Sequence, residues 1–158
     1  MSSLENIYIS PLELCNLACL YCYTKKPKTI LSNDQILDFI DSYQSILNNP
    51  KNVFFRNFNA SALTGEKKLF EDPRLKSIIF CGGEVFTLPK FPDLINQVLD
   101  RNIFVSIITN GTIDKLDEIK QPHNCQLIVS FDGPQKIHDQ NRGLGNFSKS
   151  KKFVKKSH

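Results

Sequence analysis

Four short apolar runs in this chain each end in a polar or glycine-rich motif. The runs cover residues 7–9, 76–81, 103–108 and 125–131. Segments with helical spacing or turn residues separate them, a pattern typical of a parallel sheet with crossover helices. Functional residues of such folds collect where the strands end, at the carboxyl edge of the sheet. The sequence therefore predicts an α/β fold, a partial parallel (β/α) barrel whose four motifs meet at one edge.

Spacing and capping residues mark the helices. The first is predicted to begin at Ser32, where Gln35 completes a capping box. Further elements are predicted at three places: a helix over residues 91–101, a short helix or turn over 113–119, and a last helix capped by Asn146 or Ser148. Residues 51–76 fit neither pattern, so an insertion or long loop is predicted there, with or without a short helix near 67–71.

Length and composition predict one soluble domain of 158 residues, 41% of them hydrophobic. No apolar run approaches the ~20 residues of a membrane-spanning helix, and the first residues lack the features of a signal peptide. We therefore expect a cytoplasmic protein that does not bind membranes. The net charge of +4 comes from five lysines among the last ten residues. The rest of the chain is near neutral, which argues against a folded domain that binds nucleic acid. The lysines themselves are predicted to lie on a solvated helix face or in a frayed end.

Three cysteines follow the first run at C-x3-C-x2-C spacing: Cys15, Cys19 and Cys22. Such a cluster suits a metal site in a reducing compartment better than a disulfide framework. Three thiolates on one loop are one fewer than a [4Fe-4S] cluster usually takes, so one iron is left open for a small molecule. The alternative is a zinc loop, although structural zinc sites usually have four ligands.

The motifs together resemble the radical S-adenosylmethionine (SAM) superfamily, whose signature is C-x3-C-x-aromatic-C with Tyr21 as the aromatic. Three later motifs match in order: Gly82-Gly83-Glu84, Thr109-Asn110-Gly111-Thr112, and Ser130-Phe131-Asp132-Gly133-Pro134 with Arg142-Gly143 behind it. The last is similar to the peptide-modifying branch, which includes the anaerobic sulfatase-maturating enzymes. The likeness covers roughly residues 6 to 147.

The resemblance implies a set of roles for these residues. Cys15, Cys19 and Cys22 hold a [4Fe-4S] cluster, which reductively cleaves SAM to a 5′-deoxyadenosyl radical that abstracts hydrogen from a substrate. The resemblance implies that the amino group of SAM binds at Gly82, Gly83 and Glu84, and that its carboxylate binds Ser130 and Arg142. It also implies that the adenine lies near Tyr21 and that the ribose contacts Asn110. Asn110 has the alternative role of capping the next turn. A peptide or protein substrate and a flavodoxin- or ferredoxin-type reductant are implied as partners; no catalytic acid or base is assigned.

Two departures from the family leave alternatives open. Val85 stands where the family often has proline, which predicts a looser turn. Only about four of the six βα units of a radical SAM core are present. The chain is then either the amino-terminal part of a longer core, over residues 1–158, or a compact variant. A compact variant would have the open edge of its sheet closed by a partner. The alternative function is a catalytically incomplete iron–sulfur or zinc-binding module that acts through a partner.

The remaining motif residues are given structural roles. Asp132 is predicted to build the Asp-Gly turn, His138 and Asp139 to be structural, and Cys81 and Cys125 to be core residues. Tyr23 is predicted either to stack on adenine or to pack on the barrel.

Overall fold

The computed structural model describes residues 5–24, 29–48 and 74–157. The predicted long loop with its optional short helix lies almost entirely outside the described residues. Within them, no helix is both long and apolar enough to cross a membrane.

The four predicted strands form one parallel sheet in the order β1-β2-β3-β4. The strands are β1 (Asn6–Ile9), β2 (Ser77–Phe80), β3 (Phe104–Thr109) and β4 (Cys125–Val129). One row of paired residues crosses the whole sheet: Ile9, Phe80, Ile107 and Leu127. Every predicted motif begins a few residues after this row, so all four lie at the carboxyl edge. The predicted α/β fold with a parallel sheet is confirmed.

Among the described residues, four helices accompany the sheet: α1 (Asn33–Asn48), α2 (Phe91–Leu99), α3 (Gln135–Arg142) and α4 (Asn146–Lys156). The capping box before α1 is confirmed. The Ser32 backbone N–H donates to Gln35 Oε1 at 2.9 Å, and the Gln35 N–H donates to Ser32 Oγ at 3.1 Å. The predicted element over 113–119 is a single 3₁₀ turn, Leu116–Glu118.

The sequence missed one of the last helices and misplaced the start of the other. Helix α3 was not predicted, because His138 is its one buried side chain and leaves no apolar period to detect. The N-cap of α4 is Gly145, with φ of 81°, rather than Asn146 or Ser148. The Asn146 side chain instead contacts the end of the preceding helix, where its Nδ2 donates to the Arg142 carbonyl at 2.8 Å.

The core lies on one face of the sheet, where α1 and α2 cover alternate strand residues. Its largest fully buried side chains include Phe80, Phe86 and Phe91, whose rings meet edge to face. The opposite face is open in the described structure, with Tyr8 60% and Ile128 42% exposed. The sheet is thus covered on one side, as expected for part of a barrel.

The two predicted core cysteines differ in burial, and the terminal lysines lie on a helix. Cys81 is buried, while Cys125 is half-buried against the core. The lysine-rich end forms α4, where Lys156 pairs with Asp114 and Asp117 at 2.8 and 2.7 Å. These lysines therefore lie on a solvated helix face, one of the two predicted alternatives.

Candidate functional site

The cysteine loop leaves β1 and is immediately hydrogen-bonded to the glycine bend after β2. The N–H of Gly83 donates to the Leu12 carbonyl at 3.0 Å, and the N–H of Glu84 donates to the Leu14 carbonyl at 2.9 Å. Cys15 follows directly, so its position is set by two backbone bonds to the neighbouring strand end.

Glycine is required in this bend because two backbones approach closely. A Cβ at Gly82 would overlap the Leu12 carbonyl oxygen, and one at Gly83 would overlap that of Leu14. Gly82 also has a φ of 130°, which other residues rarely adopt. The close approach at this bend is thus made by the chain's own backbone. Contact of Gly82 and Gly83 with SAM stays a prediction.

Glu84 lies beneath the bend with none of its surface exposed. Its Oε1 accepts hydrogen bonds from the Phe86 N–H at 3.1 Å and the Thr109 hydroxyl at 2.9 Å. Its Oε2 accepts the Asn110 N–H at 2.7 Å. Burial raises the pKa of Glu84, and these three hydrogen bonds oppose that rise. The carboxylate therefore joins the ends of β2 and β3, and its predicted contact with SAM stays a prediction.

Asn110 connects the end of β3 to the cysteine loop. Its Nδ2 donates to Asn16 Oδ1 at 2.9 Å and lies 3.8 Å from Cys15 Sγ. Its Oδ1 accepts the Thr112 N–H at 2.9 Å, which closes the turn after the strand. Asn110 thus caps that turn, one of its two predicted roles, and the ribose contact stays a prediction.

The other end of the cysteine loop is held by residues that follow β4. The Leu20 N–H donates to the Asn141 carbonyl at 2.9 Å. The Tyr21 hydroxyl lies 2.8 Å from both carboxylate oxygens of Asp132. Arg142 Nε donates to Asp132 Oδ1 at 2.8 Å, with the guanidinium carbon 5.5 Å from the centre of the Tyr21 ring. Tyr21 and Arg142 are therefore brought together, as members of one site.

Asp132 is the site residue that sequence reasoning missed. It was assigned to the turn alone, because an Asp-Gly pair explains itself locally and its partner Tyr21 lies 111 positions away. His138 and Asp139 both contact neighbouring parts of the fold, and their predicted structural roles stay predictions. His138 is fully buried against Phe131 and Phe147, and Asp139 Oδ1 accepts the Phe147 N–H at 2.8 Å.

Ser130 and Tyr23 are not drawn into this network. Ser130 follows β4, and its N–H donates to the Thr109 carbonyl at 3.0 Å. No hydrogen bond joins its side chain to Arg142 among the described residues. Tyr23 is 94% exposed, so the expectation that it packs on the barrel is wrong for the part of the chain described. Its contact with adenine stays a prediction.

The donor set fits a [4Fe-4S] cluster. Cys15, Cys19 and Cys22 are free thiols, half-buried or exposed. Burial raises the pKa of Cys19, nearby Arg142 lowers it, and the other two thiols raise it, so the three sulfurs interact electrostatically. No three His, Cys, Asp or Glu side chains surround a single ion point in the described ranges. A cubane does not require that arrangement, because each cysteine binds a different iron.

The first prediction concerns the close approach at Gly83. Gly83→Ala is expected to lower the free energy of unfolding by about 2–3 kcal/mol, because the methyl group pushes Leu14 off the bend. Gly145→Ala is the control, since its Cβ meets nothing within 4 Å and only backbone strain remains. Urea unfolding of both variants measures the difference, and equal losses would contradict the close approach.

The second prediction concerns the buried carboxylate. Glu84→Gln is expected to cost about 2–4 kcal/mol of unfolding free energy, because either orientation of the amide points its NH2 at a backbone N–H. Chemical denaturation of the metal-free protein checks this, with exposed Glu118→Gln as control. A Glu84→Gln protein as stable as that control would show that the three hydrogen bonds are not made.

The comparisons with known proteins agree on one family. The model of the radical SAM superfamily matches residues 9–158. The chain is 29% identical over 145 residues to a serine-type anaerobic sulfatase-maturating enzyme of Bacteroides thetaiotaomicron, covering 82% of this chain and 29% of that protein. It is 28% identical over 156 residues to the radical SAM cyclopropyl synthase TigE of Paramaledivibacter caminithermalis, covering 90% of this chain and 31% of that protein.

The solved structures agree on the fold. Streptococcus suis SuiB bound to S-adenosylmethionine superposes with a TM-score of 0.66 at 16% identity, covering 96% of this chain and 31% of SuiB. This chain thus spans about a third of the length of the curated relatives it matches. From the family match over nearly its whole length, together with the strand-end motifs, this chain belongs to the radical SAM superfamily.

Proposed function

We propose that this chain is the cofactor-binding part of a radical SAM enzyme that removes a hydrogen atom from a peptide or protein side chain. One observation carries the proposal. The loop with Cys15, Cys19 and Cys22 is held at the carboxyl edge on both sides, by the glycine bend and by the Arg142 region. Sulfur ligands, glycine backbone and a guanidinium are thereby assembled at one edge, which is what a cluster with a bound amino acid group needs.

The cysteines would hold the cluster. When bound and reduced, a [4Fe-4S] cluster with one open iron supplies the electron that cleaves SAM to methionine and a 5′-deoxyadenosyl radical. The chain's own share is to fix the sulfurs. Cys15 is fixed through Leu14 and Asn110, and the turn from Cys19 to Cys22 is closed by a 3.1 Å backbone bond.

The remaining edge residues would hold SAM. Arg142 and Ser130 take its carboxylate, because a guanidinium binds a carboxylate at two points. Backbone oxygens of Gly82 and Gly83 take the amino group. Glu84 supports this bend from below by anchoring the backbone of Phe86 and Asn110. Tyr21 covers the cluster, with its ring beneath the Arg142 cation.

A peptide substrate is supported by the relatives and by the open sheet face. SuiB has been solved bound to its precursor peptide SuiA, and the chain aligns with 30% of that protein. On the uncovered face, Tyr8 near the end of β1 and Ile128 near the end of β4 are 60% and 42% exposed, and a side chain of the substrate can contact them. A cytoplasmic flavodoxin or ferredoxin is the reductant we propose.

A second candidate is a cluster- or zinc-binding module that does no chemistry of its own. It is favoured by the open sheet, in which β4 has no further strand beside it among the described residues. Formation of 5′-deoxyadenosine from SAM under dithionite separates the two, because turnover excludes the module. Zinc without acid-labile sulfide would support it.

The third prediction tests the cluster ligands. After anaerobic reconstitution, the protein is expected to bind about four irons with equivalent sulfide and to turn brown. Serine at Cys15, Cys19 or Cys22 is expected to remove most of the iron and the colour, because each thiolate binds its own iron.

Cys125→Ser is the matched control, since this half-buried cysteine lies at the start of β4, away from the loop. Iron analysis and visible absorbance are the measurements. Normal iron content in all three loop variants would overturn the cluster assignment.

A further inference from the structure

One carboxylate, that of Asp132, joins the cysteine loop to the helix that carries Arg142. The Tyr21 hydroxyl lies 2.8 Å from each carboxylate oxygen, so its single proton is shared between them. Arg142 Nε donates to Oδ1 at 2.8 Å. Tyr21 stands between two of the predicted cluster ligands, and Arg142 ends α3. Among the residues that the structure describes, Asp132 is thus the one side chain hydrogen-bonded to both.

Burial makes this ion pair more costly to break than a surface pair. The side chains of Asp132 and Arg142 are only 12% and 13% exposed. Burial alone would raise the pKa of Asp132, but the hydrogen bonds from Arg142 and Tyr21 hold it below its usual value. Asp132 is therefore charged, and removing its charge leaves a mostly buried guanidinium without its counter-ion.

The turn that carries Asp132 is itself anchored. Its backbone N–H approaches Nδ1 of His138 at 3.5 Å. His138 is fully buried, with Phe131 and Phe147 rings 5.5 and 5.7 Å from its own. The backbone of Asp132 thus lies against a buried histidine that is packed beside two phenylalanine rings.

The Arg142 guanidinium has only one edge engaged. Asp132 takes Nε, and no described residue accepts a hydrogen bond from Nη1 or Nη2. The guanidinium carbon lies 5.5 Å from the centre of the Tyr21 ring, between Cys19 and Cys22 in the sequence, so the cation lies beside the cysteine loop. The terminal nitrogens are the part of the group that can form a two-point contact with an incoming carboxylate.

We propose that Asp132 is a positioning residue: it holds Arg142 by Nε, and the cysteine loop by Tyr21, so that the two terminal guanidinium nitrogens meet the carboxylate of SAM beside the open iron. This inference rests on the proposed function and deepens it. Asp132 acts through Arg142 and Tyr21 and does not itself contact SAM. The opposite possibility is that Asp132 competes with SAM for the same guanidinium.

Asp132→Asn tests the proposal, because it removes the charge while keeping the size. SAM is titrated into the anaerobically reconstituted protein and followed by calorimetry. SAM affinity is expected to fall about tenfold or more, the usual effect of losing one hydrogen bond to a charged group. Iron content and the EPR spectrum of the reduced, SAM-free cluster are expected to stay unchanged, since no ligand is altered. Affinity within twofold of the unaltered protein, or tighter binding, would overturn the proposal.

Two further variants separate positioning from general damage. Asp41→Asn is the matched control: Asp41 pairs with Arg101 Nε at 2.9 Å, but Arg101 lies before β3, at the opposite edge of the sheet. It is expected to leave SAM affinity unchanged. Tyr21→Phe keeps the ring but loses the hydroxyl proton shared with Asp132, so SAM affinity is expected to fall less than in Asp132→Asn. The double variant of Tyr21→Phe and Asp132→Asn should bind SAM no more weakly than Asp132→Asn alone. Fully additive losses of SAM affinity would show that the two residues act independently.

A measurement without cofactor distinguishes failure of this inference from failure of the proposed function. If the unaltered protein binds neither cluster nor SAM, the proposed function is wrong. Hydrogen exchange of the metal-free protein still tests whether Asp132 positions the loop. The Leu20 amide, bonded to the Asn141 carbonyl, is expected to exchange about tenfold faster in Asp132→Asn and unchanged in Asp41→Asn. Equal exchange in all three proteins would overturn the positioning role.

Discussion

A buried carboxylate determines how the carboxyl edge of this sheet is built. Glu84 is fully enclosed and accepts hydrogen bonds from Phe86, Thr109 and Asn110. A buried charge is costly unless it is well hydrogen-bonded, so the fold that satisfies it brings the ends of β2 and β3 to fixed positions. The backbone of the same residue donates to Leu14, one position before Cys15. The interaction that orders the strand ends therefore also places the first cysteine.

The cysteine loop is consequently held at both ends by different strands. Its start is bonded to the glycine bend after β2, and its far end is bonded through Leu20 and Tyr21 to the region after β4. β3 contributes from the middle, through Asn110 beside Cys15. The loop is thus supported by three neighbouring strand ends. The sheet face opposite the helices is open beside it among the described residues.

Much of this architecture was predictable from local sequence, and the rest depended on distant contacts. The strands were predicted because runs such as Ile78-Ile79-Phe80 suit buried parallel strands, and Ser32 with Gln35 located the start of α1. Helix α3 was missed because it buries one polar side chain, His138, instead of an apolar stripe. The enclosure of Glu84 was not predicted, since charged residues are rarely fully buried. The role of Asp132 depends on Tyr21, a partner that no local pattern indicates.

The central claim is that these strand ends assemble a single site in which SAM meets an open iron. Electron–nuclear double resonance of the reduced, reconstituted protein with SAM labelled at its amino nitrogen and carboxylate carbon tests this most directly. The account predicts hyperfine coupling between the cluster and both labelled atoms, because Cys15, Cys19 and Cys22 leave one iron for them. A cluster that forms normally but shows no coupling to either label would contradict it.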